Sequence, residues 1–355
     1  MTWGDKIKLS VFGESHGTAI GAVIDGLPAG EEIDFEEVKR QMARRAPGND
    51  ASSTKRKEND EPVVLSGVLS GMTTGAPLCA VIKNSDTHSS DYKNISRIPR
   101  PGHADYTAYV KYGGFNDVRG GGHFSGRLTA PLVFAGAVCR QILRRRGVTV
   151  GAHVYSIYGV KDKPFDMADI SPSLLDSLSG RYFPVIDGAA EKAMREKIAE
   201  AQSSLDSVGG IVECAAAGLP AGLCGPLAEG AESEISSLVF GIPACKGIEF
   251  GAGFASAQML GSENNDPFYY GGGEVKTRTN NCGGVLGGIT DGMPVVFRAA
   301  FKPTPSIGME QESVDLESRA GARLTVRGRH DPCIVPRAVP AVEAAAAVWA
   351  LSAVL

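Results

Sequence analysis

The feature that most limits how this chain can fold is that it repeats itself. Residues 67–77 read Gly-Val-Leu-Ser-Gly-Met-Thr-Thr-Gly-Ala-Pro, and residues 284–294 read Gly-Val-Leu-Gly-Gly-Ile-Thr-Asp-Gly-Met-Pro, identical at seven of eleven positions. A second echo, Gly-Leu-Pro-Ala-Gly, stands at 26–30 and again at 218–222. Each pentapeptide follows a strand-like run, precedes a helix-like one and comes ahead of the longer repeat. Matches in the same order predict two related halves, roughly 1–150 and 208–355, joined by a variable segment, 151–207. Two copies are too few for a solenoid. The expectation is one large domain, 1–355, with internal pseudo-symmetry.

Both echoes are rich in glycine, and the chain holds 45 glycines in 355 residues, against roughly 7% in an average protein. Collagen is excluded because there is no three-residue period. Disorder is excluded because 43% of the residues are hydrophobic and only 21% charged. What remains is a folded chain whose backbone turns sharply, or approaches something closely, at many points. Strand patterns fall at 8–12, 21–24, 63–69, 78–82, 211–214 and 295–299. Helical patterns run over 35–45, from 129 or 131 to 146, over 189–205 and over 341–355. Asp34 and Glu37 have the spacing of a capping box. The last helix carries one charge in fifteen residues, so it must be buried in a core or against another subunit. Without regular βαβ alternation the pattern favours an α+β fold, with helices packed on antiparallel sheets.

Several function classes fall away. A net charge of −4 offers no basic field for nucleic acid. The seven cysteines are spread out with no CxxC, which suits reduced thiols and argues against a zinc ribbon. No cluster has zinc spacing, so no metal is expected. The first residues lack an apolar leader, and 344–355 is too short to span a bilayer. A soluble cytoplasmic enzyme without membrane contact is expected.

Four of the six histidines lie in polar, glycine-studded segments: His16, His103, His123 and His330. Each alone could be a surface-turn histidine, but together they suggest a site that moves protons near neutrality. His88 and His153 lack this setting and read as structural or exposed. Arg100, Arg119, Arg127 and Arg329 adjoin the same segments. Guanidinium beside bare backbone N–H groups makes a cradle for carboxylate or phosphate. Arg44 and Arg45 close a helix, where they could serve its dipole or the same anion. Lys302-Pro303-Thr304-Pro305-Ser306 adds a cation and two hydroxyls on a rigid stretch. The inferred ligand is small and carries several negative charges. No P-loop and no GxGxxG occurs. Gly13-Glu-Ser15-His-Gly17 satisfies GxSxG, but that motif needs a following helix, and 18–24 reads as a strand. A serine hydrolase using Ser15 and a non-catalytic anion-binding protein remain as alternatives.

Phe12-Gly-Glu-Ser-His-Gly17, Arg100-Pro-Gly-His-Ala-Asp-Tyr106, Arg119-Gly-Gly-Gly122 and Gly328-Arg-His-Asp-Pro-Cys333 resemble the signatures of the chorismate synthase family. The resemblance spans about residues 3 to 350 in the same order. It implies long helices sandwiched between antiparallel sheets, a homotetramer, and a carbon–oxygen lyase of the shikimate pathway to aromatic amino acids. The implied substrate is 5-enolpyruvylshikimate 3-phosphate, converted to chorismate by anti 1,4-elimination of phosphate and a C6 proton. Reduced FMN is implied as a cofactor without net redox change. NADPH is implied only as an external reductant; some members reduce their own flavin with it, and the missing Rossmann fingerprint does not decide that, since pyridine nucleotides can bind by other means.

By the same resemblance, Ser15, Arg45, Arg100, Arg127 and Arg329 would hold the substrate. His16 would protonate the departing phosphate, His103 would stabilise the reduced flavin near N1, and Asp331 would assist proton transfer near N5. The flavin set would be His123, Phe124, Ser125, Ala244, Gly287, Lys302, Pro303, Thr304, Pro305, Ser306 and Arg329. Some positions depart from the family pattern. His123-Phe-Ser-Gly-Arg127 stands where many members read Arg-Ser-Ser-Ala-Arg. Ala51 stands in place of an arginine that Arg56 could replace, Pro243 in place of an asparagine, and Asn281 where some members carry a histidine.

Overall fold

A computed structural model describes residues 2–48, 60–84, 97–326 and 331–355. The chain begins with β1 (Thr2–Trp3), β2 (Lys8–Gly13), β3 (Ala19–Asp25), α1 (Phe35–Arg45), β4 (Pro62–Ser66), the small hairpin β5–β6 (Val68–Leu69 and Met72–Thr73), β7 (Leu78–Lys83), α2 (Asp105–Tyr112) and α3 (Thr129–Arg145). It continues through β8 (Thr149–Ile157), β9 (Val160–Lys161), α4 (Pro172–Leu178), α5 (Gly188–Ser203), β10 (Gly210–Ala217), α6 (Ala231–Val239), β11 (Cys245–Phe250) and the single turn α7 (Gly261–Asn264). The hairpins β12–β13 (Phe268–Gly271 and Glu274–Thr277) and β14–β15 (Val285–Leu286 and Ile289–Thr290) follow. Then come β16 (Val295–Phe301), the hairpin β17–β18 (Gln311–Asp315 and Ala320–Leu324) and α8 (Val335–Val354).

Two five-stranded antiparallel sheets result, ordered β1-β2-β3-β7-β4 and β11-β16-β10-β8-β9. Read from β2 and from β8, both sheets place their strands first, second, fourth, third. In each a helix joins the second strand to the third, and a long helix follows the fourth. α3 packs on α8 and on β3, while α8 lies on β8 and β10, so these helices fill the space between the sheets. The mixture of helices and antiparallel sheets agrees with the α+β expectation. The two echoes meet within each stretch. Thr73 Oγ1 accepts from Glu31 N–H and donates to Pro28 O, while Thr290 Oγ1 accepts from Leu223 N–H and donates to Pro220 O. The pentapeptide and the glycine turn are thus two sides of one hydrogen-bonded contact, made twice. The segment 151–207 is more than a variable connection, because β8 begins at Thr149 and occupies an interior position of the second sheet.

α8 starts earlier than its pattern suggests. Pro336 sits in its first turn, where the missing N–H has no intrahelical partner to lose. At twenty residues α8 is long and apolar enough to cross a membrane, so the short-length argument fails. Burial decides instead: Ala341, Ala345, Val348 and Trp349 are wholly buried within this one chain. α8 is a core helix and needs no partner chain to cover it. Small residues let it come close to α3, where a Cβ on Gly136 would overlap Ala344 Cα. The expected strand at 63–69 is broken at Gly67, whose φ of +86° turns the chain into the hairpin. Asp34 caps α1 by accepting from the N–H groups of Glu36 and Glu37. The Glu37 carboxylate turns to Arg40 and Gln41, so the capping box does not close.

Candidate active site

The triple glycine organises the site. Gly120, Gly121 and Gly122 have φ of 59°, 84° and 52°, left-handed values that residues with side chains rarely adopt. A Cβ on Gly120 would land on the His16 ring, and one on Gly121 would stand 3.1 Å from His103 Nε2. The bare backbone therefore threads between the two histidines. Ser15 N–H fastens the first histidine segment by donating to Gly122 O at 3.1 Å.

Beside this loop lies a cavity of about 710 Å³, within the range of roughly 300–1,000 Å³ found for ligand sites. Its wall takes Arg45 from the end of α1, Arg100 and His103 from the turn before α2, and His123, Phe124, Ser125 and Arg127 from the loop into α3. The other stretch of chain supplies Ala244, Lys302, Thr304, Pro305 and Ser306, while Asp331 and Arg337 close it near α8. Residues from both stretches thus share one cavity.

Not every expected residue reaches it. Ser15 and His16 are buried behind Gly120, one backbone thickness from the cavity. Pro303 is exposed and forms no part of the wall. Gly287 is exposed at the tip of the β14–β15 hairpin, which Thr290 ties to the Pro220 segment away from the cavity. Arg329 and His330, like Ala51, Arg56 and His88, lie outside the described residues. Arg119 pairs with Asp117 at 2.7 Å within its own loop. Asn281 donates its side-chain amide to Glu263 O and Asn264 O, so a local turn uses it. Pro243 and His123 do line the cavity, and the His123 ring meets Phe124 edge-on at 5.7 Å. The hydrolase elbow is absent: Gly13–Gly17 turns between antiparallel β2 and β3, with no helix following.

The cations are held by carboxylates that sequence reading did not single out. Arg100 Nε and Nη2 grip Asp105 at 2.7 and 2.8 Å, and Arg100 Nη1 donates to Ser306 Oγ at 3.2 Å. His103 Nδ1 lies 2.6 Å from Asp105 Oδ1, which turns Nε2 toward the glycine loop. Burial alone would raise the Asp105 carboxyl, but Arg100 and then His103 outweigh it and hold it well below the carboxylate range. As an ionised acceptor, Asp105 keeps the His103 proton on Nδ1. Arg45 Nη1 and Arg127 Nη1 share Asp60, and Arg45 also donates to Thr129 Oγ1 and Gly126 O. Burial pushes Arg45 down to about 10, partly offset by Asp60, so it remains a cation at neutral pH. Asp60 is held low against its own burial by Arg45 and Arg127. Arg337 reaches Asp331 at 2.6 Å and the Arg45 carbonyl at 3.0 Å. Its signal in the sequence was slight: one cation in an otherwise apolar run.

Comparison with known proteins places this architecture. The family model for chorismate synthase matches residues 7–355. A chorismate synthase of Thermococcus kodakarensis is 51% identical over 344 residues, covering 97% of this chain and 94% of that protein. One from Dehalococcoides mccartyi is 46% identical over 341 residues, covering 96% and 93%. A crystal structure of a chorismate synthase superposes with a TM-score of 0.77 at 26% identity, covering 99% of this chain and 92% of the other. With a family model and relatives matched over nearly its whole length, the chain belongs to the chorismate synthase family.

Proposed function

We propose that this chain is a lyase converting 5-enolpyruvylshikimate 3-phosphate to chorismate by anti 1,4-elimination, with reduced FMN bound in the same cavity. The observation that carries this reading is the meeting of His16, His103, Asp331 and the cations Arg45, Arg100, Arg127 and Lys302 around one glycine loop and its cavity. A substrate with two carboxylates and a phosphate needs several fixed cations, and guanidinium groups bind such anions in two-pronged fashion. The residues also fit a flavin. Phe124, Phe240 and Ile334 give the wall apolar surface for a ring system, while Lys302, Ser125 and Ser306 give it polar groups. Thr304 Oγ1 is buried at the wall with no hydrogen-bond partner among the described residues, as a ligand-facing hydroxyl would be.

When bound, reduced FMN supplies electron density that eases departure of the phosphate. The chain does the rest. Arg45, Arg100 and Arg127 hold and orient the anions, and Arg100 is itself braced by Asp105 and Ser306. His16, just behind Gly120, provides the proton for the departing phosphate. His103, its tautomer set by Asp105, stabilises negative charge beside it, and Asp331 assists removal of the C6 proton. The assembly is a homotetramer, and aerobic NADPH oxidation with added FMN decides whether the chain reduces its own flavin or depends on an external reductant.

The test is anaerobic phosphate release from the substrate by purified protein with chemically reduced FMN. Turnover that collapses in His16→Ala and His103→Ala supports the reading. Absence of turnover in the unaltered protein overturns it, and unchanged binding without turnover would leave an anion-binding protein.

A further inference from the structure

We propose that Arg337 is a positioning residue that fixes Asp331 and the anion-holding end of α1 as one unit. The proposal rests on the reading of Asp331 as a group that moves a proton. Arg337 stands in the first turn of α8, and its guanidinium spans two other pieces of the chain. Nη1 donates to Asp331 Oδ2 at 2.6 Å, while Nε donates to the carbonyl of Arg45 at 3.0 Å. Asp331, Arg45 and Arg337 all line the cavity, and both side chains of the ion pair are largely shielded from water.

Arg45 is the last residue of α1, and its own side chain is committed to Asp60, Thr129 and Gly126. Arg337 therefore sets the backbone from which an anion-holding cation projects, and at the same time the carboxylate opposite. The planar fork of a guanidinium can serve both acceptors at fixed angles, which a lysine ammonium cannot do as well. Among the described residues, the charged and titratable groups around the pair include Arg45 from α1, Asp60 ahead of β4, Tyr182 between α4 and α5, and Cys333 beside Asp331. Burial would weaken the Arg337 charge, but Asp331 outweighs it, so the pair persists as an ion pair.

The experiment uses Arg337→Gln and Arg337→Lys in the full-length protein. In flavin-free protein the carboxyl-carbon NMR signal of isotope-labelled Asp331, assigned by its loss in Asp331→Asn, should move at fixed pH in Arg337→Gln and stay near its place in Arg337→Lys. With reduced FMN and substrate, kcat should fall about 10–100-fold in Arg337→Gln, KM should stay nearly constant, and the loss should not add to that of Asp331→Asn. Arg337→Lys should recover only part of kcat. If Arg337→Gln does not fold, the lysine variant decides alone by the same split of kcat against KM. An unmoved Asp331 signal in Arg337→Gln overturns the proposal. So does a risen KM with kcat intact, which would make Arg337 a direct anion ligand. If the unaltered protein shows no turnover, the proposed reaction fails while the carboxyl signal still decides the pairing.

Discussion

Glu343, the single acid in the apolar helix α8, offers the sharpest test of how this fold is held together. Its side chain is 1% exposed and accepts from Arg44 Nη1 at 2.6 Å, Arg140 Nη1 at 3.3 Å, Ala152 N–H at 3.0 Å and Ser179 Oγ at 3.3 Å. Helices α1, α3 and α8, strand β8 and the end of α4 therefore converge on one carboxylate. Replacing Glu343 with alanine leaves two buried guanidinium groups facing each other without their counter-ion. Breaking a buried pair from one side costs about 3–5 kcal/mol. Arg44 keeps Gln41 and Arg181 O, and Arg140 keeps Ser179, but these neutral acceptors cannot replace the charge. Unfolding entropy is roughly 2.1 cal/mol/K per residue, or about 0.75 kcal/mol/K for a chain of this length. The expected drop in Tm is then about 4–7 °C, read by circular dichroism at matched protein concentration. Arg44→Met combined with Glu343→Ala should destabilise less than the sum of the two, with a coupling of about 0.5–3 kcal/mol. Burial raises the Glu343 carboxyl, but Arg44 and Arg140 outweigh it and depress it below its ordinary 4.5. The stability it contributes is therefore present above that value and lost as pH falls through the folded pKa. A Tm change below about 1 °C, or strictly additive variants, would refute the reasoning.

Three further predictions follow from the same reading of contacts. His153 is wholly buried between Asp162 and Glu213, each at 2.9 Å. Burial alone would lower its pKa, but the two carboxylates raise it above the ordinary 6.5. Its contribution is thus full below that value and lost as pH climbs through the raised pKa. The urea midpoint gap between the unaltered protein and His153→Gln should shrink from about pH 6 to about pH 9, and a constant gap would count against the pairing. Gly120→Ala should displace His16 and strain a left-handed position; turnover should fall by about 100-fold or more, with unaltered kinetics as the contrary result. Thr73→Val and Thr290→Val each remove a buried hydroxyl bonded on two sides, so each should cost about 1–3 kcal/mol. Lying in different sheets' turns, the two losses should add in urea unfolding, and marked coupling between them would contradict the structure.

Much of the architecture was legible because it depends on local chemistry. Strands β2, β3, β7, β10 and β16 follow short apolar runs bounded by turn residues, and α1 and α3 carry their end signals in the sequence. The hairpins β12–β13 and β17–β18 were not legible, since the aromatic run of β12 does not alternate with polar residues and the half-buried positions of β17 are the polar Gln311, Ser313 and Asp315. The pattern places the last helix at 341–355, whereas α8 begins at Val335, with Pro336 in its first turn, where proline is tolerated, and Pro340 inside the helix. In the site, glycine beside histidine or arginine marked His16, His103, Arg100 and Arg127. Asp60, Asp105 and Arg337 escaped, because nothing near them in sequence separates a buried counter-ion from an exposed charge.

By itself the sequence determined that the chain folds on repeated glycine turns, that it mixes helices with antiparallel strands, and which motifs tie it to its family. Such features follow from backbone sterics and side-chain type within a few residues. Only the tertiary structure decided that the two echoes clasp each other through Thr73 and Thr290, and that the backbone of Gly120–Gly122 passes between His16 and His103. It also decided which carboxylate neutralises which arginine: Glu343 and Arg44 are 299 positions apart in sequence and 2.6 Å apart in space. Charge pairing in a core depends on distance and exclusion of water, and neither exists until the helices have packed between the sheets.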